Sequence, residues 1–246
     1  MKDLRGTIYP DAKHWFSLVF LVFLAWNSNA QETTGANYDR ILKNFDEAYG
    51  VDYNLVNGVK YVDFYATASG HPWFSEPEFG HGWLIIDGKK YFGQTLNYDV
   101  HNQIVVAEHD SELLGIQRFI VPGVYLDGFH MSGRTFRKMA VGNKKERIYE
   151  VVSEGHYSML ISYEKTYILS RDANDRNYRF SNIVVDRYIL FNDELEKFKR
   201  PRSFRKCFPR EIQDEIKTYM KDQNINFKRS SITEIRSLMQ YINSLV

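Results

Sequence analysis

Two histidines and two glutamates lie within one short stretch of this 246-residue chain. Imidazole and carboxylate groups are ligands of zinc and similar metals. These weak metal candidates, which fall within eleven residues, are His71, Glu76, Glu78 and His81. Their spacing does not place two histidines one turn apart on a helix, and two prolines in the stretch favour a loop. Scattered turn histidines are the favoured interpretation, so we predict no metal, no cofactor and no catalytic residue here.

Cys207 is the only cysteine of the chain, which excludes an intrachain disulfide and a thiolate metal cluster. It lies just before Pro209, where a helix is predicted to begin, and beside Arg205 and Lys206. A helix N-terminus and nearby cations lower the pKa of a thiol, so one interpretation is a reactive thiolate. The favoured interpretation is a small, half-buried residue under the helix, because free cysteine is among the most buried residue types.

Residues 197–210 contain seven basic residues, no acidic residue and three interleaved phenylalanines. In a nucleic-acid-binding protein this pattern would be a binding strip. In an exported protein the corresponding polyanions are lipid headgroups, lipopolysaccharide and acidic glycans. We favour a solvated linker whose cations offset an acidic N-terminal helix. The whole chain has 32 basic and 31 acidic residues, and this balance gives no argument for a nucleic-acid partner.

The sequence contains no nucleophile elbow and no glycine-rich phosphate loop. Residues 171–177 are acidic and amide-rich but lack the spacing of a calcium-binding loop. A catalytic pair of carboxylates that come together only in the folded chain stays an open alternative, because sequence spacing does not reveal such a pair. We therefore predict a non-catalytic binding or scaffolding role rather than an enzyme. The alternative is a periplasmic or secreted hydrolase with a carboxylate or histidine site on the sheet.

The elements that position these residues are organised around residues 79–108, which predict three consecutive antiparallel strands. Asp87-Gly88 separates two strand-forming runs, and Asp-Gly favours a hairpin turn because both turn positions need φ > 0. The expected pairs are Ile86 with Lys89, Ile85 with Lys90, Leu84 with Tyr91 and Trp83 with Phe92. The alternation predicts that the core face carries Trp83, Ile85, Phe92, Leu96 and Tyr98.

Short strands and turn signals recur along most of the chain. A first strand is predicted at residues 59–68, a second Asp-Gly turn at Asp127-Gly128, and long strands at residues 157–169 and 178–191. No long helical pattern interrupts them. This pattern predicts a mainly β protein, either an antiparallel sandwich or a curved, partly closed barrel.

Helical patterns are confined to the two ends of residues 31–246. Residues 38–49 predict a short N-terminal helix within a β domain of residues 31–200. Residues 201–246 predict a helical hairpin, whose second helix opens with a capping box at Ser231–Glu234. Helices this short are marginal in water on their own, so we expect the hairpin to dock on the sheet.

Residues 1–30 have the form of a signal peptide. Lys2 and Arg5 precede an apolar run at residues 15–26, which is shorter than the ~20 residues that span a bilayer. Small residues at Ser28 and Ala30 predict cleavage before Gln31, with an uncleaved anchor as the alternative. No cysteine follows for a lipoprotein anchor. We expect a periplasmic or secreted protein that is not an integral membrane protein after cleavage.

Three short motifs are residues 55–58 ahead of Tyr61, Asp87-Gly88-Lys89 with Tyr91, Leu96 and Tyr98-Asp99, and Phe208-Pro209. Together they resemble an uncharacterised family of exported proteins from Gram-negative bacteria. The resemblance implies a β-rich envelope protein. The family has no assigned activity, so no functional residue is carried over. We expect the partner to be an envelope component, whether protein, lipid or glycan, and not a nucleic acid.

Overall fold

The computed structural model describes residues 59–111, 114–142, 145–169 and 178–246. Its strands are β1 (Gly80–Ile86), β2 (Lys89–Asp99), β3 (Ile104–Ser111), β4 (Gly115–Ile120), β5 (Leu126–Met131), β6 (Arg134–Met139), β7 (Arg147–Ser153), β8 (Ser158–Glu164), β9 (Tyr167–Leu169), β10 (Tyr178–Phe180), β11 (Val184–Phe191) and β12 (Glu194–Phe198). Its helices are α1 (Pro201–Lys206), α2 (Arg210–Asp222) and α3 (Ile232–Ser244). The predicted signal peptide, the helix at residues 38–49 and the loop at residues 171–177 lie outside the described residues.

Ten of these strands form one antiparallel sheet in the order β12-β11-β8-β7-β6-β5-β1-β2-β3-β4. Strands β9 and β10 pair separately. The edge strands β12 and β4 do not pair with each other, so the large sheet is open. The predicted fold class, mainly β and antiparallel with helix at the C-terminal end, is confirmed.

Three of the hairpins close through two-residue turns with positive φ at both positions. The turn residues and their φ values are Asp87 (49°) and Gly88 (73°), Ser132 (51°) and Gly133 (72°), and Asn192 (47°) and Asp193 (60°). Positive φ at both positions is typical of type I′ turns, whose twist matches that of the flanking strands. The register of the first hairpin is as predicted from Ile86–Lys89 to Leu84–Tyr91.

A β-bulge in that first hairpin reverses the predicted inward face of β1. The register shifts between Gly82 and Leu84, and Gly93 on β2 has a φ of 66°, as expected of a bulge glycine. The extra residue on β2 shifts the alternation of inward and outward side chains on that strand. The face of β1 that matches Leu96 and Tyr98 is therefore the one with Leu84, which is buried in the core, while Trp83 lies outside the core cluster. The predicted inward orientation of Trp83, Ile85 and Phe92 is therefore wrong, whereas that of Leu96 and Tyr98 is correct.

The strand predicted at residues 59–68 is also wrong. Only Lys60 forms a bridge, to Phe119 of β4, before the chain turns. The turn is stabilised by the Tyr65 backbone N–H, which donates to Asp63 Oδ1 at 2.9 Å. Such a side-chain bond replaces a ladder bond and takes the backbone out of the extended conformation.

Asp127-Gly128 lies inside β5 and not in the predicted turn. A Cβ atom at Gly128 would come within 2.6 Å of the Phe136 carbonyl oxygen on β6. The glycine therefore permits a close approach of two strands. The long strands predicted at residues 157–169 and 178–191 are each divided in two, into β8 and β9 and into β10 and β11.

Helices α2 and α3 bury their apolar faces in the same core as the sheet. The buried helical side chains are Ile212, Ile216, Met220, Ile235, Leu238, Met239 and Ile242. The predicted capping box opens α3, where Ser231 Oγ accepts the Glu234 backbone N–H at 3.2 Å. At the far end, Asn243 Nδ2 donates to the Tyr157 carbonyl at 3.0 Å, and Asn243 Oδ1 accepts the Tyr157 N–H at 2.8 Å. Both ends of α3 are thus held by side-chain hydrogen bonds.

Within the described part of the chain, none of the helices combines the length and the apolar character needed to cross a membrane.

Candidate ligand-binding cavity

A row of side chains crosses the core face of the sheet through six neighbouring strands. Directly paired residues of an antiparallel sheet lie on the same face, so the pairing defines the row. Its members are Leu84, Phe129, Phe136, Glu150, Ile161 and Arg187. The first five are buried, and four of those five are apolar. Glu150 therefore places a carboxylate inside an otherwise hydrophobic row.

Glu150 is only 1% exposed, and its partners come from the two strands on either side. Arg134 Nη1 on β6 lies 2.9 Å from Glu150 Oε2 and also donates to the Tyr163 hydroxyl at 3.1 Å. The hydroxyl of Tyr163, on β8, donates to the same carboxylate oxygen. Burial, reinforced by the Glu150 charge, raises the pKa of Tyr163, which keeps this hydroxyl protonated. The three side chains form one closed hydrogen-bonded network.

A cavity of about 580 Å³ adjoins this network, between β8 and β11 of the sheet and the loop that joins α2 to α3. Its size is within the range of small-molecule pockets. The aliphatic side chains that line it are Met159, Ile161, Ile183, Val185, Ile232 and Ile235. Phe74 and Phe227 add aromatic surface, and three serines add hydroxyl groups.

Among the described residues that line the cavity, the charged side chains are all basic: Arg134, Arg187 and Lys228. Glu150 neutralises Arg134. Arg187 Nη2 donates to the Phe227 carbonyl at 3.0 Å, a neutral acceptor. Within the described residues no carboxylate forms an ion pair with Arg187 or Lys228. The guanidinium of Arg187 is held in place while its charge is left uncompensated, an arrangement that favours an anionic ligand.

The histidine and glutamate candidates of the sequence are not grouped together in the described structure. Lys165 Nζ lies 3.4 Å from His71 Nδ1 and donates to the His71 and Trp73 carbonyls at 3.0 and 2.8 Å. Burial, and then the Lys165 charge, lower the pKa of His71. The other candidates are exposed: Glu76, Glu78 and His81. Among the residues that the structure describes, no three histidine, cysteine or acidic side chains are grouped to hold a metal ion.

Cys207 is half-buried at the C-terminal end of α1, as favoured from the sequence. Its Sγ donates to the Ser203 carbonyl at 3.4 Å. Burial raises the pKa of the thiol to about 12, and the nearby Glu196 carboxylate acts in the same direction. The thiol is therefore neutral at physiological pH, and the reactive-thiolate interpretation finds no support in its surroundings.

The basic segment at residues 197–210 separates its aromatic from its charged side chains. Phe198, Phe204 and Phe208 are buried, with the Phe204 ring centroid 4.9 Å and 5.0 Å from the other two. Lys197 forms an ion pair with Asp186 at 2.5 Å. Part of the segment is the helix α1, so the interpretation as a linker is wrong. The rings belong to the core and are not available to stack on nucleic-acid bases.

Two segments, residues 162–165 and 203–206, match the S-x-x-K pattern of some acyl-transferring serine enzymes. The Ser203 hydroxyl donates to the Arg200 carbonyl at 2.9 Å. Lys165 donates to backbone carbonyls at residues 71 and 73. No hydrogen bond joins either serine to its lysine in the described structure, and we assign these segments no catalytic role.

Sequence reasoning missed the residues that form the cavity network. The available signal was a charged residue at an inward position of a strand. Glu150 lies on the same face of its strand as Ile148 and Val152, two residues away on either side. Arg187 likewise shares a face with Val185 and Ile189. Burying a charge at such a position costs folding free energy unless the charge is paired or binds a ligand.

Comparisons of the chain with protein-family models, with curated proteins and with solved structures found no match. The resemblance to a family of exported proteins stays a prediction.

Proposed function

We propose that this chain is a non-catalytic binding protein whose ligand is a small amphipathic anion. The observation that carries the proposal is the uncompensated guanidinium of Arg187 beside the aliphatic wall of the cavity. Such a site matches a molecule with an anionic headgroup, such as a carboxylate, and a hydrocarbon tail.

The headgroup is assigned to Arg187 rather than to Arg134. Both guanidinium groups line the cavity, but Arg134 already shares a hydrogen bond with the Glu150 carboxylate at 2.9 Å. That carboxylate repels an anion which approaches Arg134. Among the described residues, the hydrogen-bond acceptor of Arg187 is the carbonyl of Phe227, and the remaining N–H groups of the guanidinium match the two oxygens of a carboxylate.

The tail is assigned to the aliphatic wall formed by β8, β11 and the start of α3. Met159 and Ile161 from the sheet and Ile232 and Ile235 from the helix contribute to this wall. Each methylene removed from water contributes roughly 0.8 kcal/mol to binding. Among the described residues that line the cavity there is no histidine, cysteine or carboxylate, and the proposed role is binding without catalysis.

Export is part of the proposal and is supported by the targeting pattern of residues 1–30. In a periplasmic or secreted setting, the protein would sequester or carry its amphipathic ligand. Intact mass of the exported protein tests this part. A mature chain beginning at Gln31 is expected, and one that retains residues 15–26 would contradict it.

The binding proposal is tested by titrating the protein with decanoate in a calorimeter. Arg187→Gln removes the charge and is expected to weaken binding tenfold or more, since a hydrogen bond to a charged group contributes about 1.5–3 kcal/mol. Val185→Trp keeps the charge but fills the cavity and should abolish binding. Circular dichroism shows whether each variant is folded.

The matched control is Arg137→Gln, which removes an arginine that lies outside the cavity and pairs with Glu154 at 2.6 Å. Its affinity for decanoate should equal that of the parent. Equal loss in Arg137→Gln and Arg187→Gln would overturn the assignment of the headgroup. Absence of decanoate binding by the parent protein would overturn the proposed function.

A further inference from the structure

Several exposed basic residues lie in and beside α1. We call the exposed cations Lys199, Arg200, Arg202, Lys206 and Arg210 the α1 basic segment. Glu196 and Glu211 flank it in the sequence. In the described part of the chain, none of the five cations forms an ion pair with a carboxylate. Over the whole chain the charges nearly cancel, with a net charge of +1. The segment is therefore a local concentration of positive charge.

The α1 basic segment lies beside the loop that lines the cavity. The Phe227 ring packs with its centroid 4.8 Å from that of Phe204 in α1 and 5.1 Å from that of Phe198. Phe227 and the next residue, Lys228, line the cavity. Lys228 and Arg229 are exposed and add two further cations to this region. The basic surface and the cavity thus share one loop.

We propose that the α1 basic segment docks the protein on an anionic phospholipid bilayer, with which the cavity exchanges its amphipathic ligand. This inference rests on the proposed function, because a bilayer is where molecules with an anionic head and an apolar tail accumulate. A single-stranded nucleic acid fits the segment less well. Its bases need exposed rings to stack on, and the three phenylalanines of the segment are buried in the core.

The test is co-sedimentation of the purified full chain with vesicles of two compositions. One contains phosphatidylcholine alone, and the other contains equal parts of phosphatidylcholine and phosphatidylglycerol. Binding is expected only to the anionic vesicles and should weaken as salt is added, because salt screens exposed charges. Equal binding to both compositions would indicate apolar insertion and overturn the inference.

The variant Lys199→Gln/Lys206→Gln removes two cations of the segment. Each lysine near an anionic surface contributes about 1 kcal/mol, so the pair should weaken vesicle binding roughly 30-fold. The matched control is Lys217→Gln/Lys221→Gln, which removes two exposed lysines from α2. The control is expected to bind as tightly as the parent. Equal losses in the two double variants would show that only net charge matters and would overturn the docking site.

Decanoate titration separates failure of this inference from failure of the proposed function. The Lys199→Gln/Lys206→Gln variant should bind decanoate with unchanged affinity. A parent protein that binds decanoate but not anionic vesicles contradicts the docking inference alone. A parent that binds vesicles but not decanoate contradicts the proposed function alone. Binding to a single-stranded oligonucleotide that is lost in Lys199→Gln/Lys206→Gln, without vesicle binding, would assign the segment to a nucleic acid and overturn the inference.

Discussion

Asp99 and Glu150 are both almost completely buried, yet their carboxylates are satisfied in different ways. Asp99 Oδ1 accepts the backbone N–H groups of His101 and Asn102, each at 2.9 Å, and Oδ2 accepts Asn102 Nδ2 at 2.7 Å. These donors all lie within three residues of Asp99. The partners of Glu150 are Arg134 and Tyr163, which are 16 and 13 residues away on other strands.

The difference separates a carboxylate that stabilises a turn from one that holds an arginine at the wall of the cavity. Asp99 organises the connection between β2 and β3, and its hydrogen bonds form as soon as that turn forms. Glu150 acquires its partners only when β6, β7 and β8 have assembled. One of those partners, Arg134, lines the cavity. A buried carboxylate with distant partners is thus the better guide to the site.

The largest effect is expected from Glu150→Ala. This substitution leaves the Arg134 guanidinium and the Tyr163 hydroxyl without their shared acceptor. Loss of one partner of a buried ion pair costs about 3–5 kcal/mol of unfolding free energy, and we expect the lower end of this range because the Arg134 side chain that remains is 34% exposed. Urea denaturation measures this loss. The control is Glu164→Gln, which removes the partly exposed partner of Arg147 and should cost less than about 1 kcal/mol. Equal losses for the two variants would contradict the claim that the Glu150 network stabilises the fold more than an exposed ion pair does.

Asp99→Ala is expected to have a smaller effect. It removes the acceptor of three short-range hydrogen bonds, each with a net contribution of about 1 kcal/mol, and therefore costs roughly 2–3 kcal/mol in the same assay. Its decanoate affinity should equal that of the parent, because the turn lies outside the cavity lining. Weaker decanoate binding by folded Asp99→Ala would break the comparison between the two carboxylates.

The pH dependence of stability sharpens the interpretation of Asp99. Burial raises the pKa of this carboxyl group, although the N–H donors act in the opposite direction. The folded state therefore holds the proton more tightly than the unfolded state does. As the pH rises from the unfolded pKa through the higher folded pKa, the group's contribution to the unfolding free energy falls. Asp99→Asn cannot titrate, so its stability relative to the parent should increase over this pH range. A difference that is constant with pH would contradict a raised pKa.

The smallest effect is expected from Gly88→Val in the turn between β1 and β2. A β-branched residue at the φ of 73° costs about 1 kcal/mol or more, although no atom lies within 4 Å of the added Cβ. The effect should be confined to stability, since the turn lies far from Arg187 along the sheet order. A thermal melt checks it, and an unchanged midpoint would contradict the assigned turn geometry.

Two features that depend on neighbouring residues were predicted correctly from the sequence, whereas the Asp127-Gly128 turn was not. The Asp87-Gly88 turn and the Ser231–Glu234 capping box each follow from two side chains a few residues apart, and both are present. The antiparallel class follows from the recurrence of turns. The bulge at Gly93 was not predictable from alternation, because a single inserted residue leaves the residue types unchanged while it reverses the inward face.

The cavity was beyond prediction for a different reason. Arg187 belongs to β11, which pairs with β8 across the intervening β9 and β10. Only this pairing places its side chain next to Ile161 and opposite the loop after α2. Alternation within a strand identifies which face a residue occupies, but it does not identify which strand lies beside it. The predicted candidates, His71 to His81, were chosen by proximity in sequence and were not brought together in space.

The most direct test of the central claim compares ligands rather than variants. Calorimetry of the parent protein with acetate, octanoate, decanoate and decanol varies the tail and the charge separately. We expect two added methylenes to strengthen binding roughly 15-fold from octanoate to decanoate, at about 0.8 kcal/mol each. Decanol, which lacks the charge, should bind at least tenfold more weakly than decanoate, and acetate should not bind measurably. Equal affinities of decanol and decanoate, or of acetate and decanoate, would contradict a site that recognises both parts of an amphipathic anion.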